Sequence, residues 1–121
     1  DVRGRRIVVQ SGDSADLYLA RTLKQTRLVR TSHANAPGML ERGEVDAYAA
    51  NRMRLTEVAP TLPGSRVLPG RFLALPQTIA VAPDREAALP YLNGFVARAK
   101  ATGEVQRAID RANVPGAVVA P

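Results

Sequence analysis

The residues with chemistry to offer gather at three places along the chain. Ser11-Gly12-Asp13-Ser14 follows the β-branched run Ile7-Val8-Val9, Ser32-His33-Ala34-Asn35 follows Arg27-Leu28-Val29-Arg30-Thr31, and Asn51-Arg52 follows Val45-Asp46-Ala47-Tyr48-Ala49-Ala50. Hydroxyls, a carboxylate, an imidazole, an amide and a guanidinium in short polar turns suit the capture of a small polar ligand. The N–H groups of a helix start lack intrahelical acceptors and attract an anion. Ser11, Gly12, Asp13 and Ser14 therefore read as an anion or polar-ligand seat, and Asp13 and Ser14 also as N-caps. Asn51 caps the helix that opens at Arg52, and Arg52 is placed to meet an anionic ligand group.

Catalysis has less to build on. His33 is the sole histidine and cysteine is absent, so no His/Cys set for a metal exists. Ser14, His33 and Asp46 make a triad on paper, but triads are defined by geometry and not by residue type. His33 is accordingly read as a surface loop residue, and Asp46 as a structural acceptor within its strand. The expectation is a binder rather than an enzyme, with no metal and no cofactor.

The elements that position these turns follow from periodicity. Ile7 to Val9 is a strand covered on both faces. A helix runs from about 15 to 25, a second strand over 27–31, and a short helix from Pro37 to near Gly43. A third strand over 45–50 leads into a helix over about 52–59. Ser65-Arg66-Val67-Leu68, between Pro63-Gly64 and Pro69-Gly70, reads as a fourth strand. Alternating strands and helices predict an α/β fold in three layers, a mainly parallel sheet with helices on both faces. In such sheets ligands sit beyond the carboxyl ends of the strands, where all three polar turns fall. Beyond Arg71 the order changes. Gln77 to Ala82 reads as a further strand. A helix over about 86–102 carries the stripe Leu89, Leu92, Phe95, Val96 and Ala99, Gly103 ends it, and a second helix reaches about Ala112.

Composition narrows the class. The chain has 121 residues, 45% hydrophobic and 23% charged, as globular domains do. No apolar run approaches the ~20 residues of a membrane-spanning helix. Its start at Asp1 reads as that of a mature or excised segment. The net charge of +6 raises the question of nucleic acid, but the basic residues are dispersed and aromatics are only 4%. Without a stacking surface among the cations, no nucleic-acid partner is expected.

Taken together, Gly4-Arg5-Arg6-Ile7-Val8-Val9-Gln10-x-Gly12, Asp16-Leu17-Tyr18-Leu19 and Gly43-Glu44-Val45-Asp46-Ala47-Tyr48 resemble a known pattern. So do Leu62 to Leu68, Gly70-Arg71-Phe72, Ile79 to Pro83, Leu92-Asn93-x-Phe95, and Gly103 with Ile109. The chain is similar to the second lobe of periplasmic (extracellular) solute-binding proteins of family 3, the polar-amino-acid type serving ABC importers. The resemblance implies a type 2 periplasmic-binding fold, with lobe two over 4–76 and a crossover strand and helices over 77–121 returning toward a first lobe that precedes Asp1. It implies Leu75, Gln77 and Thr78 as hinge residues and a periplasmic, exported location. It also implies a membrane permease as partner and a small polar solute, an amino acid or related organic anion, bound by lobe closure. In the family a hydroxyl residue follows Gly12 and an Asp stands at position 51. Here Asp13 and Asn51 occupy those places, which moves the expected ligand from a zwitterionic amino acid toward another polar or anionic solute. Glu41 and Glu44 fall on the wrong side of their helix end for the dehydratase-like relatives. The stripe on the 86–102 helix is expected to be covered by lobe two, by a neighbour, or by a second copy in a homodimer or domain swap. The alternative implied role is a ligand-sensing domain of a sensor kinase or transcriptional regulator.

Overall fold

Strand β1 (Arg6–Gln10) is the centre of a three-stranded parallel sheet. A computed structural model defines the fold and describes residues 2–121. β1 pairs with β2 (Arg27–Thr31) from Arg6↔Arg27 to Gln10↔Thr31, and with β3 (Ala47–Ala49) from Ile7↔Ala47 to Val9↔Ala49. The strand order is β2-β1-β3. Parallel neighbours require crossover helices, and these cover both faces.

Side chains alternate across β1, so its apolar run feeds two cores. Ile7 and Val9 pack with Ala15 and Leu19 of α1 (Ser14–Thr22) and with Ala49. Val8 points the other way, toward Ala36 of α2 (Ala36–Glu41), Val45, Tyr48 and Ala50, with Leu55 of α3 (Arg52–Val58) alongside. Val8 and Val9 are fully buried. A parallel strand buried on both sides has no room for a polar residue, which explains the unbroken Ile-Val-Val run.

Two expected strands are not strands. Ser65–Leu68 has no ladder partner among the described residues, and the chain turns on either side of it at Gly64 and Gly70, both at positive φ. Its backbone is irregular and Leu68 is exposed. A four-residue run of β-prone residues cannot supply the neighbour that makes it a strand. The sheet of the described residues therefore has three strands rather than four. β3 is also shorter than expected, so Asp46 lies just outside it.

The chain divides into two units, residues 1–73 and 74–121. In the second, Gln77–Ala82 is mostly exposed and pairs with no strand among the described residues, against the expectation of a crossover strand. Pro83–Ala88 is a 3-10 stretch, followed by α4 (Leu89–Ala101) and α5 (Glu104–Ala112). Pro90 in the first turn of α4 explains why the α-helix starts there and not at Glu86. Gly103, at φ 75°, ends one helix and begins the next. Ala99 is buried, whereas Leu89, Phe95 and Val96 of the predicted stripe are exposed.

Candidate functional site

The carboxyl ends of the three strands open into three turns. β1 runs into Gly12, whose φ of 75° suits glycine and lets the chain reverse into α1. Asp13 caps that helix, its Oδ1 accepting the Asp16 N–H at 2.9 Å. The Gly12 N–H, the seat expected for a ligand anion, instead donates to Asp16 Oδ2 at 3.0 Å. Asp16 is only 4% exposed. Arg30 of β2 grips the same carboxylate from the other side, Nε to Oδ2 at 2.9 Å and Nη2 to Oδ1 at 2.9 Å. This two-pronged contact and the Gly12 amide hold the Asp16 carboxyl below the usual range, against the opposing effect of burial. The anion seat is filled from within the chain.

His33, expected as a surface residue, joins the three turns. Its backbone N–H donates to Gln10 Oε1 at 2.6 Å, tying the β2–α2 loop to the end of β1. Its Nδ1 lies 2.5 Å from the Tyr48 hydroxyl of β3, and its ring meets the Tyr48 ring edge-on. Its Nε2 faces Asp13 Oδ2 at 3.9 Å. Arg54 of α3 reaches back, Nη2 donating to the His33 carbonyl at 3.2 Å. Tyr48 is buried on the second core, and that burial pushes its phenol above the usual tyrosine value. Arg54 beside it pulls the other way, and the Asp13 charge adds a small upward push.

The remaining expected site residues take these places. Asn51 is an N-cap, Oδ1 accepting the Arg54 N–H at 2.8 Å. Arg52 donates through Nη2 to the Gly70 carbonyl, binding the loop after α3 rather than standing free at the turn. Ser11 is exposed, with its N–H bonded to the Thr31 carbonyl at 2.9 Å. Ser14 opens α1. Leu75, Gln77 and Thr78 lie in the exposed stretch of the second unit.

The paper triad of Ser14, His33 and Asp46 does not assemble. Asp46 sits at the amino end of the sheet, where its Oδ2 accepts the Arg6 N–H at 2.7 Å and Nε at 3.1 Å, and its Oδ1 accepts Nη2 at 3.0 Å. Its carboxyl falls to about 2 for that reason. The acid near His33 is Asp13. Local sequence gave no sign of Tyr48, Arg54 and Gln10 as partners of His33, since these lie 15, 21 and 23 residues away. The alternation that places Tyr48 on the face of Val8 was the one usable signal.

Among the described residues no His, Asp or Glu cluster is arranged to hold a metal ion, and no helix is long and apolar enough to cross a membrane. An open depression lined by Val2, Arg3 and residues 22–26 lies at the amino end of the sheet, away from the polar turns. Comparison with known proteins returns no relative: no family model, no curated protein and no solved structure matches this chain.

Proposed function

We propose that the first unit is a solute-binding lobe that takes a small polar solute at the carboxyl edge of its parallel sheet. The observation that carries this reading is the convergence of three separate turns on His33, through Gln10, Tyr48, Asp13 and Arg54. Crevices beyond the carboxyl ends of parallel strands are where α/β sheets bind ligands. Polar side chains held by their own hydrogen bonds give such an edge a fixed geometry before a ligand arrives.

The finer reading is a lobe of a type 2 periplasmic-binding fold, serving as the exported solute-binding component of an ABC importer. Two features of the second unit support it. Gln77–Ala82 is strand-like in sequence yet in no ladder among the described residues, and α4 exposes Leu89, Phe95 and Val96 along one stripe. Both are what a segment returning to another lobe presents. Solute would then bind between two lobes and favour the closed arrangement, which a membrane permease recognises.

Amide chemical-shift mapping with a panel of polar solutes tests the site. Perturbations confined to residues 10–14, 31–35 and 48–54 are expected. Saturable changes centred elsewhere, or none with any solute, would overturn the reading.

A further inference from the structure

We infer that this edge selects an uncharged hydroxyl-bearing solute, such as a sugar or polyol, whose hydroxyl bridges His33 Nε2 and Asp13 Oδ2. The inference rests on the solute-binding reading above and specifies its ligand class.

Three observations carry it. First, the seat for a carboxylate is taken. The Gly12 N–H belongs to Asp16, which Arg30 locks in place, and an incoming carboxylate would meet both Asp16 and Asp13. Arg54 is held by the His33 carbonyl and by Glu57 at 3.6 Å, with its Nε buried and without a hydrogen-bond partner, and Arg52 is held by the Gly70 carbonyl.

Second, the Tyr48–His33 contact sets which imidazole nitrogen carries the proton. Tyr48 is buried, and its hydroxyl hydrogen finds an acceptor in His33 Nδ1, 2.5 Å away. An imidazole that accepts at Nδ1 carries its proton on Nε2, so that nitrogen donates toward Asp13.

Third, Nε2 and Asp13 Oδ2 stand 3.9 Å apart, too far for a direct hydrogen bond. One oxygen at ~2.8 Å from each spans that gap. A hydroxyl fits both ends, accepting from Nε2 and donating to the carboxylate. An ammonium only donates and would set its hydrogens against the Nε2 proton. A carboxylate only accepts and would face Asp13.

Two NMR measurements on the full chain test this. Long-range nitrogen–proton spectra of the imidazole should show the Nε2–H tautomer, and the Nδ1–H form would overturn the inference. Titration with D-glucose, succinate and putrescine should shift the His33 ring and the residue 11–14 amides saturably with glucose alone. Asp13→Asn retains a capping side chain but loses the acceptor charge, and should weaken the glucose response at least ~5-fold without unfolding the protein. If succinate or putrescine shifts this edge and glucose does not, the hydroxyl inference falls while the solute-binding reading stands. If no solute in a broad panel moves it, both fall.

Discussion

Two aspartate–arginine pairs, one at each end of the sheet, use the same chemistry to different ends. At the amino end, Arg6 and Asp46 bind β1 to the start of β3 in the open, with side chains 40% and 30% exposed. At the carboxyl end, Arg30 and Asp16 join β2 to α1 with the carboxylate side chain only 6% exposed. The first pair fastens strands. The second also closes the helix N-terminus by taking the Gly12 N–H. An exposed pair is replaceable by water, whereas a buried carboxylate leaves its partners stranded when removed. Identical contacts therefore differ in consequence by where they lie.

The largest expected effect is at the buried pair. Asp16→Ala should lower unfolding free energy by about 2–3 kcal/mol, read from urea denaturation, because a buried N–H and a guanidinium lose a charged acceptor together. A loss no greater than that of Asp46→Asn would break the contrast. Next comes Arg30→Lys, which keeps the charge but loses the fork, at about 1 kcal/mol. At the exposed end the signature is in pH rather than size. Asp46 sits at about 2 in the folded chain, below the ~3.9 of an unfolded aspartate. Its stabilisation is thus complete above about pH 4 and lost as pH falls toward 2. Asp46→Asn should flatten the acid limb of a stability-versus-pH curve in that window, and an unchanged limb would refute the assignment. The smallest effect is at Tyr48, whose phenol is raised by burial. Raised acids stabilise below their unfolded value, so stability should decline as pH climbs past ~10, and Tyr48→Phe should remove that decline.

What could be read from the sequence was what neighbours in sequence decide. The Ile7-Val8-Val9 run located β1, Asp13 and Asn51 marked helix starts, and the strand over 27–31 matches β2. The Asp16–Arg30 pair and the His33 row were invisible, because they join residues that only the parallel crossovers bring together. Ser65–Leu68 and Gln77–Ala82 show the reverse error. Their composition suits a strand, but a strand is a relation between two segments, and composition names one. Of the candidate site, the three turns were legible and their internal wiring was not. Asp16 decides whether the helix start is open to an anion, and it does so through Arg30, which lies 14 residues away in sequence.

Gln77–Ala82 has a consequence for handling the molecule. It is a short stretch, apolar from Ile79 to Ala82, whose edge is unpaired among the described residues, with Ile79 over half exposed. Such an edge recruits strands from other chains, the first step of ordered aggregation. Pro76 and Pro83 stand at its two ends. Proline cannot donate to a ladder, so each limits how far an added strand can extend. These two prolines act as gatekeepers, and replacing either should raise the concentration-dependent turbidity of the purified chain.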